Sequence, residues 1–277
     1  MQIRTFGLPP NLFLRTIALC LFLSVISAAG PLAGEQLTVM TYNIRIGAGT
    51  DDLPKQALRD LRFGPEKLQP IVKAIQSVDP DIIGLQEVRG EGQARRLAKA
   101  LKMHFAFEWH LTNNQWWGVA ILSKFKILKA RGVEISTGRG KTKSIVIATL
   151  KVGGSPVTAI SVHKDKDSED GDSFRIIMKE VSRIKEPVIL MGDFNVDPDD
   201  SRLGLLNSRF VDTVTAVNTK NAEYVRDEGT FFSSQRRIDY VFVNPLRFKV
   251  LDVGLIPYEH WEASDHLGYY ARVSLMP

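Results

Sequence analysis

The sequence contains a single cysteine, Cys20, which lies in an apolar N-terminal run. The rest of the chain has no thiol, which excludes disulfides, cysteine nucleophiles and thiolate metal sites there. The sequence also has no H-E-x-x-H zinc motif and no serine nucleophile elbow. A phosphate-binding P-loop is missing too, because the run Gly140-Lys141-Thr142 has Ile135 where such a loop needs glycine.

Charged residues are scarce near the N-terminus, where Arg4 and Arg15 precede an apolar run over residues 17–26. Small residues follow that run. This order predicts a secretory signal peptide over residues 1–29, with cleavage after Ala29. The alternative is an uncleaved membrane anchor, although the run is short for a hydrocarbon core about 30 Å thick. We therefore expect an exported protein that is periplasmic or secreted.

The net charge is a modest +5 in a chain of 277 residues, which is weak support for a polyanionic partner. Residues 36–277 are expected to form one domain. Alternating runs such as QLTVMTYN predict many β-strands, and the spacing in PEKLQPIVKAIQSV predicts a helix among them. This combination favours an α/β layered fold with a mixed sheet. Long loops are predicted at residues 47–63, 110–116, 164–173 and 219–236.

Several predicted strands begin or end at a carboxylate, an amide or a histidine. The side chains are those of Asn43, Glu87, His163, Asp193, Asn195, Asp239, Asp265 and His266. Polar residues are common at strand ends, but this set is strongly biased toward oxygen ligands and imidazole. Such a set suits a hard divalent cation beside a proton-transfer group, so it indicates metal-assisted hydrolysis.

The segments TYNI, LQEV, GVAILSK, SVH, GDFN, RIDYVFV and SDH occur in this order along the chain. Their order resembles that of the endonuclease/exonuclease/phosphatase superfamily from about Thr38 to the C-terminus. GDFN followed by SDH is the specific part of the likeness. The resemblance implies a four-layer αββα sandwich of two mixed β-sheets flanked by helices. It also implies hydrolysis of phosphate esters with Mg²⁺ or Mn²⁺.

The resemblance implies a metal site and a histidine site. Glu87 would be the principal metal ligand, with Asn43 and Asp265 completing the site directly or through water. Few carboxylates and several waters are what Mg²⁺ tolerates. His266 would contact the scissile phosphate, and Asp239 would orient its imidazole. A carboxylate partner would also raise the pKa of this histidine.

Four further residues receive roles from the same resemblance. Asp193 would activate or position the attacking water, and whether it acts as base or acid stays open. Asn195 would hold that water or a phosphate oxygen. His163 would be a second phosphate ligand, with a buried structural histidine as the alternative. Gly118 matches a glycine ahead of the central strand and is expected to let the backbone pass near the site.

The substrate has to be predicted from residues outside the shared core, because the fold does not determine it. Trp117 could stack on a base or ring, and a basic run containing Arg139, Lys141 and Lys143 could follow a phosphate backbone together with Arg237. We therefore favour a nuclease acting on nucleic acid or another phosphodiester, as a monomer without a stable protein partner. The alternatives are a lipid or small-molecule phosphoesterase, and a binding module that has lost catalysis.

Overall fold

The computed structural model describes residues 34–50, 67–110, 117–135, 143–166 and 172–277. The predicted signal peptide lies outside these residues. No helix in the described ranges is long and apolar enough to cross a membrane. Residues Gly34–Pro277 pack as one unit, and this unit contains all of the architecture and the site described below.

The first sheet of the described chain is mixed and has the strand order β11-β12-β1-β2-β4-β3. Its strands are β1 (Gln36–Asn43), β2 (Ile82–Val88), β3 (His104–Trp109), β4 (Gly118–Ser123), β11 (Phe248–Leu255) and β12 (Tyr269–Leu275). Strands β1 and β2 run parallel, with Asn43 opposite Gln86. Both strands therefore deliver their C-terminal residues to the same edge of the sheet.

The second sheet has the order β5-β6-β7-β8-β10-β9 in the described residues. Its strands are β5 (Ile127–Glu134), β6 (Ser144–Val152), β7 (Ser155–His163), β8 (Val188–Asp193), β9 (Val211–Asp212) and β10 (Asp239–Val243). Strands β7 and β8 are parallel, and β10 runs antiparallel to β8. The end of β7, the end of β8 and the start of β10 consequently meet at one edge.

The two sheets pack face to face. The sequence of β8 explains this packing, because its apolar side chains point alternately to the two faces of its sheet. Ile189 and Met191 join the core shared with the first sheet, whereas Val188 and Leu190 join a core on the opposite face. This alternation is the two-residue period of a strand that is buried on both faces.

Helices cover the outer faces of both sheets. Helices α1 (Leu68–Val78), α2 (Gly90–Leu101) and α4 (Lys220–Glu228) contribute to the core of the first sheet, and α3 (Asp172–Ser182) covers the second. The predicted four-layer sandwich is therefore confirmed.

One prediction about an individual element is wrong. The expected loop at residues 219–236 contains helix α4, which begins where Thr219 caps the N–H of Ala222 with its hydroxyl. Gly118 is the first residue of β4, and its expected role of letting the backbone pass near the site stays a prediction. A Cβ there would lie 2.0 Å from the carbonyl oxygen of Glu108, so Gly118 permits the close pairing of β3 with β4.

Candidate active site

The predicted site residues converge because both sheets present their strand ends at one edge. Asn43 ends β1, Glu87 lies one residue before the end of β2, and His163 ends β7. Asp193 ends β8 and lies opposite both His163 and Asp239 in the strand register. The sandwich thus brings together side chains that are far apart in the sequence.

His266 and Asp239 form a buried hydrogen-bonded pair. The His266 Nδ1 atom lies 2.8 Å from Asp239 Oδ2, and both side chains are buried. The backbone N–H of Asp239 donates to the Thr230 hydroxyl, and the Phe231 ring packs 5.0 Å from the imidazole. Burial opposes the charged imidazole, but the neighbouring carboxylates, Asp239 first, raise the pKa of His266 to about 10. His266 is therefore a cation at neutral pH.

Asp193 lies between two imidazoles, with its orientation fixed by amide groups. Its Oδ2 atom is 3.9 Å from His266 Nε2 and 3.8 Å from His163 Nε2. Asn43 Nδ2 donates to Oδ2 at 3.1 Å, and the backbone N–H of Asn195 donates to Oδ1 at 2.9 Å. Burial, and then the charge of Asp239, raise the pKa of the Asp193 carboxyl. A carboxylate with a raised pKa is a stronger base.

The two amide side chains of the site are themselves held by backbone groups. The Arg45 N–H donates to Asn43 Oδ1 at 3.1 Å, and an N–H can only donate, so the Asn43 NH₂ group faces Asp193. Asn195 donates through Nδ2 to the carbonyl oxygen of Lys164 at 2.9 Å. Asn195 also has a positive φ of 52°, a strained conformation of the kind often found at functional positions.

The residues predicted to bind metal are Glu87, Asn43 and Asp265, and the charges of Glu87 and Asp265 interact with His266 of the buried pair. Burial raises the pKa of Glu87, and the charge of Asp265 adds to the increase, while Lys143, His266 and a hydrogen bond from Asn43 oppose it. Asp265 Oδ2 lies 3.2 Å from Arg45 Nε. Carboxylate and amide oxygens are the hard ligands that Mg²⁺ and Mn²⁺ prefer, so Glu87, Asp265 and the Asn43 oxygen are the groups that would hold such a cation. A cation bound there would offset the free-energy cost of burying the negative charge of Glu87.

A second group of potential ligand atoms comprises those of Asp193, Asp239 and His266, which lie within 4.8 Å of one another. The hydrogen bond between Asp239 and His266 already uses one carboxylate oxygen and Nδ1. The Glu87 set contains no imidazole and therefore suits Mg²⁺ better.

The structure adds His110, which was not predicted as a site residue, and it brings Lys143 of the predicted basic run to His163. His110, directly after β3, lies with Nε2 3.4 Å from His163 Nδ1. Lys143, directly before β6, has its Nζ 3.2 Å from His163 Nε2. Burial is the largest cause that lowers the pKa of His163, and Lys143 is the next. The strand-end position of His110 is the signal that could have identified it. The basic run containing Lys143 is predicted to follow a phosphate backbone, with a solvated loop as the alternative, and the structure shows Lys143 buried.

The predicted substrate-binding residues have different outcomes. Arg139 and Lys141 lie outside the described residues. Trp117 is partly buried, with Lys143 Nζ 5.5 Å from its ring centroid. Arg237 is only 5% exposed, pairs with Asp212 at 2.7 Å and stacks on Tyr240. The expectation that Arg237 follows a phosphate backbone is therefore wrong, because its charge is used inside the protein.

Comparisons with known proteins cover most of the chain. The model of the Endonuclease/Exonuclease/phosphatase family matches residues 40–266. Exodeoxyribonuclease III of Haemophilus influenzae is 26% identical over 163 residues, which cover 53% of this chain and 58% of that enzyme. The match thus spans less than two thirds of that relative.

Solved structures show the same fold. The mannosyl-6-phosphatase Bt3783 of Bacteroides thetaiotaomicron has a TM-score of 0.66 at 24% identity, covering 86% of this chain and 100% of the other. TDP2 of D. rerio complexed with a single strand DNA product has a TM-score of 0.64 at 17% identity, covering 86% and 99%. The family match extends from β1 to the histidine of the buried pair, and the chain therefore belongs to the endonuclease/exonuclease/phosphatase family.

Proposed function

We propose that this family member is a divalent-metal-dependent phosphodiesterase of nuclease type. The observation that carries the proposal is the position of the Asp193 carboxylate. It lies 3.9 Å from a histidine that Asp239 keeps protonated, and beside the oxygen donors around Glu87. Hydrolysis of a phosphate ester needs both a base for water and positive charge for the phosphoryl oxygens.

Each residue of the arrangement has a defined task. The His266 imidazolium donates from Nε2 to a phosphoryl oxygen, while Asp239 holds Nδ1 and thereby the direction of the ring. Asp193, oriented by Asn43 and the Asn195 N–H, accepts a proton from the attacking water. The new P–O bond forms as the bond to the leaving oxygen breaks, and that oxygen takes a proton from solvent. A divalent cation held by Glu87, Asn43 and Asp265 would supply Lewis-acid stabilisation of the phosphoryl charge.

Nucleic acid is the favoured substrate for two reasons. One is the similarity to exodeoxyribonuclease III. The other is the aromatic surface beside His266, where Phe231 packs on the imidazole and Phe232 is 46% exposed against Trp261. Aromatic rings next to a phosphate site offer stacking faces for bases.

A small-molecule phosphate ester is the second candidate. It is favoured because arginine side chains near the site are already paired with carboxylates of the protein. Arg45 pairs with Asp265, Arg236 with Asp197, and Arg237 with Asp212. A nucleic-acid backbone is normally bound by cations that can neutralise several phosphates. The fold similarity to a mannosyl-6-phosphatase is compatible with this candidate.

The test is a side-by-side hydrolysis assay of plasmid DNA, RNA, sphingomyelin, inositol phosphates and mannose 6-phosphate, with Mg²⁺ or Mn²⁺ and with chelator. His266→Ala is compared with His104→Ala, because His104 is exposed at the far end of β3. We expect metal-dependent cleavage of nucleic acid, reduced at least about a hundredfold in His266→Ala and unchanged in the control. Intact nucleic acid together with turnover of a small ester would replace the nuclease by the second candidate.

We also propose that the protein is exported and that a leader over residues 1–29 is removed after Ala29. The support is the order of basic, apolar and small residues in that segment. Mass spectrometry of the protein recovered from the periplasm and the medium tests this. A mature N-terminus far from residue 30, or recovery only from the cytoplasm, contradicts it.

A further inference from the structure

A cavity of about 260 Å³ opens on the outer face of the second sheet, away from the candidate active site. Thr158 of β7 lines this cavity and precedes His163, the last residue of the same strand, by five residues. A strand rises about 3.3 Å per residue, so the two residues are about 16 Å apart. The cavity is therefore separate from the site that contains Asp193 and His266.

The cavity forms where helix α3 stops covering this face of the sheet. Lys129, Thr149 and Thr158 lie opposite one another on β5, β6 and β7, and they therefore point to the same face. Ile147, in the next row, belongs to the core that includes side chains of α3. The segment directly after α3, residues 183–186, forms one wall. The cavity thus lies between this segment and β5, with the two threonines in its lining.

The lining carries two hydroxyl groups from buried side chains. Thr149 is 5% exposed and Thr158 is 1% exposed, and their hydroxyl oxygens lie 3.5 Å apart. Each hydroxyl has one proton, so a bond between them uses one proton and leaves the other for a further acceptor. Valine would fill nearly the same space, and packing alone therefore does not explain a pair of threonines here.

Two arginines are fixed at the cavity by one carboxylate. Arg131 of β5 and Arg183 of the wall segment both line the cavity. Arg131 donates from Nη2 to Glu180 Oε2 at 2.7 Å, and Arg183 donates from Nη1 to Glu180 Oε1 at 2.8 Å. The Glu180 side chain is only 11% exposed. A guanidinium has five N–H donors, so each arginine is held in place while it keeps further donors for a ligand.

Two lysines add positive charge to the same lining. Lys129 and Lys185 line the cavity, and within the described residues neither ammonium group has an acceptor. With the two arginines they make four cations against the carboxylates of Glu180 and Glu186, a surplus of two positive charges. A phosphate monoester carries about −1.5 to −2 charges at pH 7 and presents three acceptor oxygens. It therefore matches both the charge and the donors of the cavity.

We propose that this cavity is a second ligand site of the protein, which binds the phosphate monoester group of a ligand that is not the hydrolysed ester. Lys129 and Lys185 pair with the phosphate charge, the fixed arginines donate to its oxygens, and the threonine hydroxyls complete the lining. Ile147 and Ile184 offer apolar contact to the group that carries the phosphate. The same phosphate group occurs on free phosphorylated molecules and on the headgroup of phosphatidic acid.

Inorganic phosphate is the probe, because it presents the proposed recognition group alone. It is titrated into the purified protein with chelator, and NaCl keeps the ionic strength constant so that screening does not change. Binding is followed by the backbone amide signals in ¹H–¹⁵N NMR spectra. The amides of Ile184 and Lys185 report on the cavity, and those of Asn195 and His266 report separately on the candidate active site. In wild type we expect the cavity amides to shift and to reach saturation.

The main variant replaces both lysines, Lys129→Met together with Lys185→Met. We expect its dissociation constant for phosphate, measured at the cavity amides, to rise at least about tenfold because charge-assisted hydrogen bonds are lost. Arginine at the same two positions should keep the constant within about threefold of wild type. The matched control is Lys73→Met together with Lys249→Met, which makes the same change in net charge at exposed positions outside the cavity. This control should bind phosphate as wild type does.

Thr158→Val tests the hydroxyl lining without changing the charge. We expect the dissociation constant for phosphate to rise several-fold, because one donor is lost from the cavity. An unchanged constant would refute the part assigned to the hydroxyls.

Sedimentation with phosphatidylcholine vesicles, with and without phosphatidic acid, identifies the source of the phosphate group. Binding that requires both phosphatidic acid and the two lysines assigns the cavity to a lipid headgroup. Lysine-dependent binding of phosphate without binding to vesicles assigns it to a free ligand. Cavity amides that do not shift with phosphate would overturn the proposal, as would a methionine double variant that binds phosphate within about twofold of wild type. Retained binding by the arginine double variant separates loss of the site from loss of the fold.

Discussion

At the scale of single residues, the pair of His266 and Asp239 is the clearest case of two side chains acting as one unit. Asp239 accepts from His266 Nδ1 at 2.8 Å. Asp239→Asn keeps the shape but removes the negative charge, so the imidazolium loses its main support. We expect about a tenfold to hundredfold loss of kcat/KM, and a double variant with His266→Ala little worse than the worse single one. Losses that add fully in the double-mutant cycle would show that the two residues act independently.

The raised pKa of His266 also predicts a pH profile. Asp239 and the other carboxylates outweigh burial and raise this pKa to about 10, so the active imidazolium persists through neutral pH and is lost as the pH rises through that value. On the alkaline side of the profile, the kcat/KM of wild type should therefore fall only in the strongly alkaline range. In Asp239→Asn the alkaline limb should move down toward the ordinary histidine pKa of about 6.5. An alkaline limb at the same pH in both proteins would refute this assignment.

At the scale of elements, the parallel pairing of β7 with β8 positions His163 and Asp193, and Gly192 is the residue that permits it. Gly192 has a φ of +152°, and a Cβ there would lie 2.0 Å from the carbonyl oxygen of Val162. We expect Gly192→Ala to lower the free energy of unfolding by at least about 2 kcal/mol. Gly204→Ala is the matched control, since its Cβ would meet no atom within 4 Å. Equal free energies of unfolding for the two variants in urea denaturation would contradict the proposed need for glycine at position 192.

Strand periodicity also explains which site residues could be predicted. Glu87, Asp193 and His163 each stand at or next to the end of an apolar run, so the sequence indicates both the strand and the polar side chain at its edge. Helix α4 was missed because most of its residues are polar and few are buried, which leaves a weak helical pattern. Its hydroxyl cap at Thr219 was a usable but isolated signal.

At the scale of the whole molecule, the sandwich creates contacts that no local pattern contains. His110 follows a strand of the first sheet, whereas Lys143 and His163 belong to the second, and the three meet only because the sheets stack. A basic run in the sequence cannot show whether its last lysine is solvated or buried. Arg237 illustrates the same limit, because its partner Asp212 lies on a separate short strand.

The acidic site also predicts how the stability of the whole protein responds to metal. Burial raises the pKa of Glu87, so its charge is unfavourable in the metal-free fold at neutral pH, and a cation bound there stabilises the folded state. Mg²⁺ at a hundred times its dissociation constant should add about 2.7 kcal/mol to the free energy of unfolding, seen as a higher Tm in calorimetry.

Glu87→Gln should lose most of this increase yet have a metal-free Tm at least equal to wild type, because the buried charge is gone. Glu223→Gln, on the exposed face of α4, should behave like wild type in both conditions. A Glu87→Gln protein with the full Mg²⁺ response would place the cation elsewhere, with the atoms of Asp193, Asp239 and His266 as the next candidates.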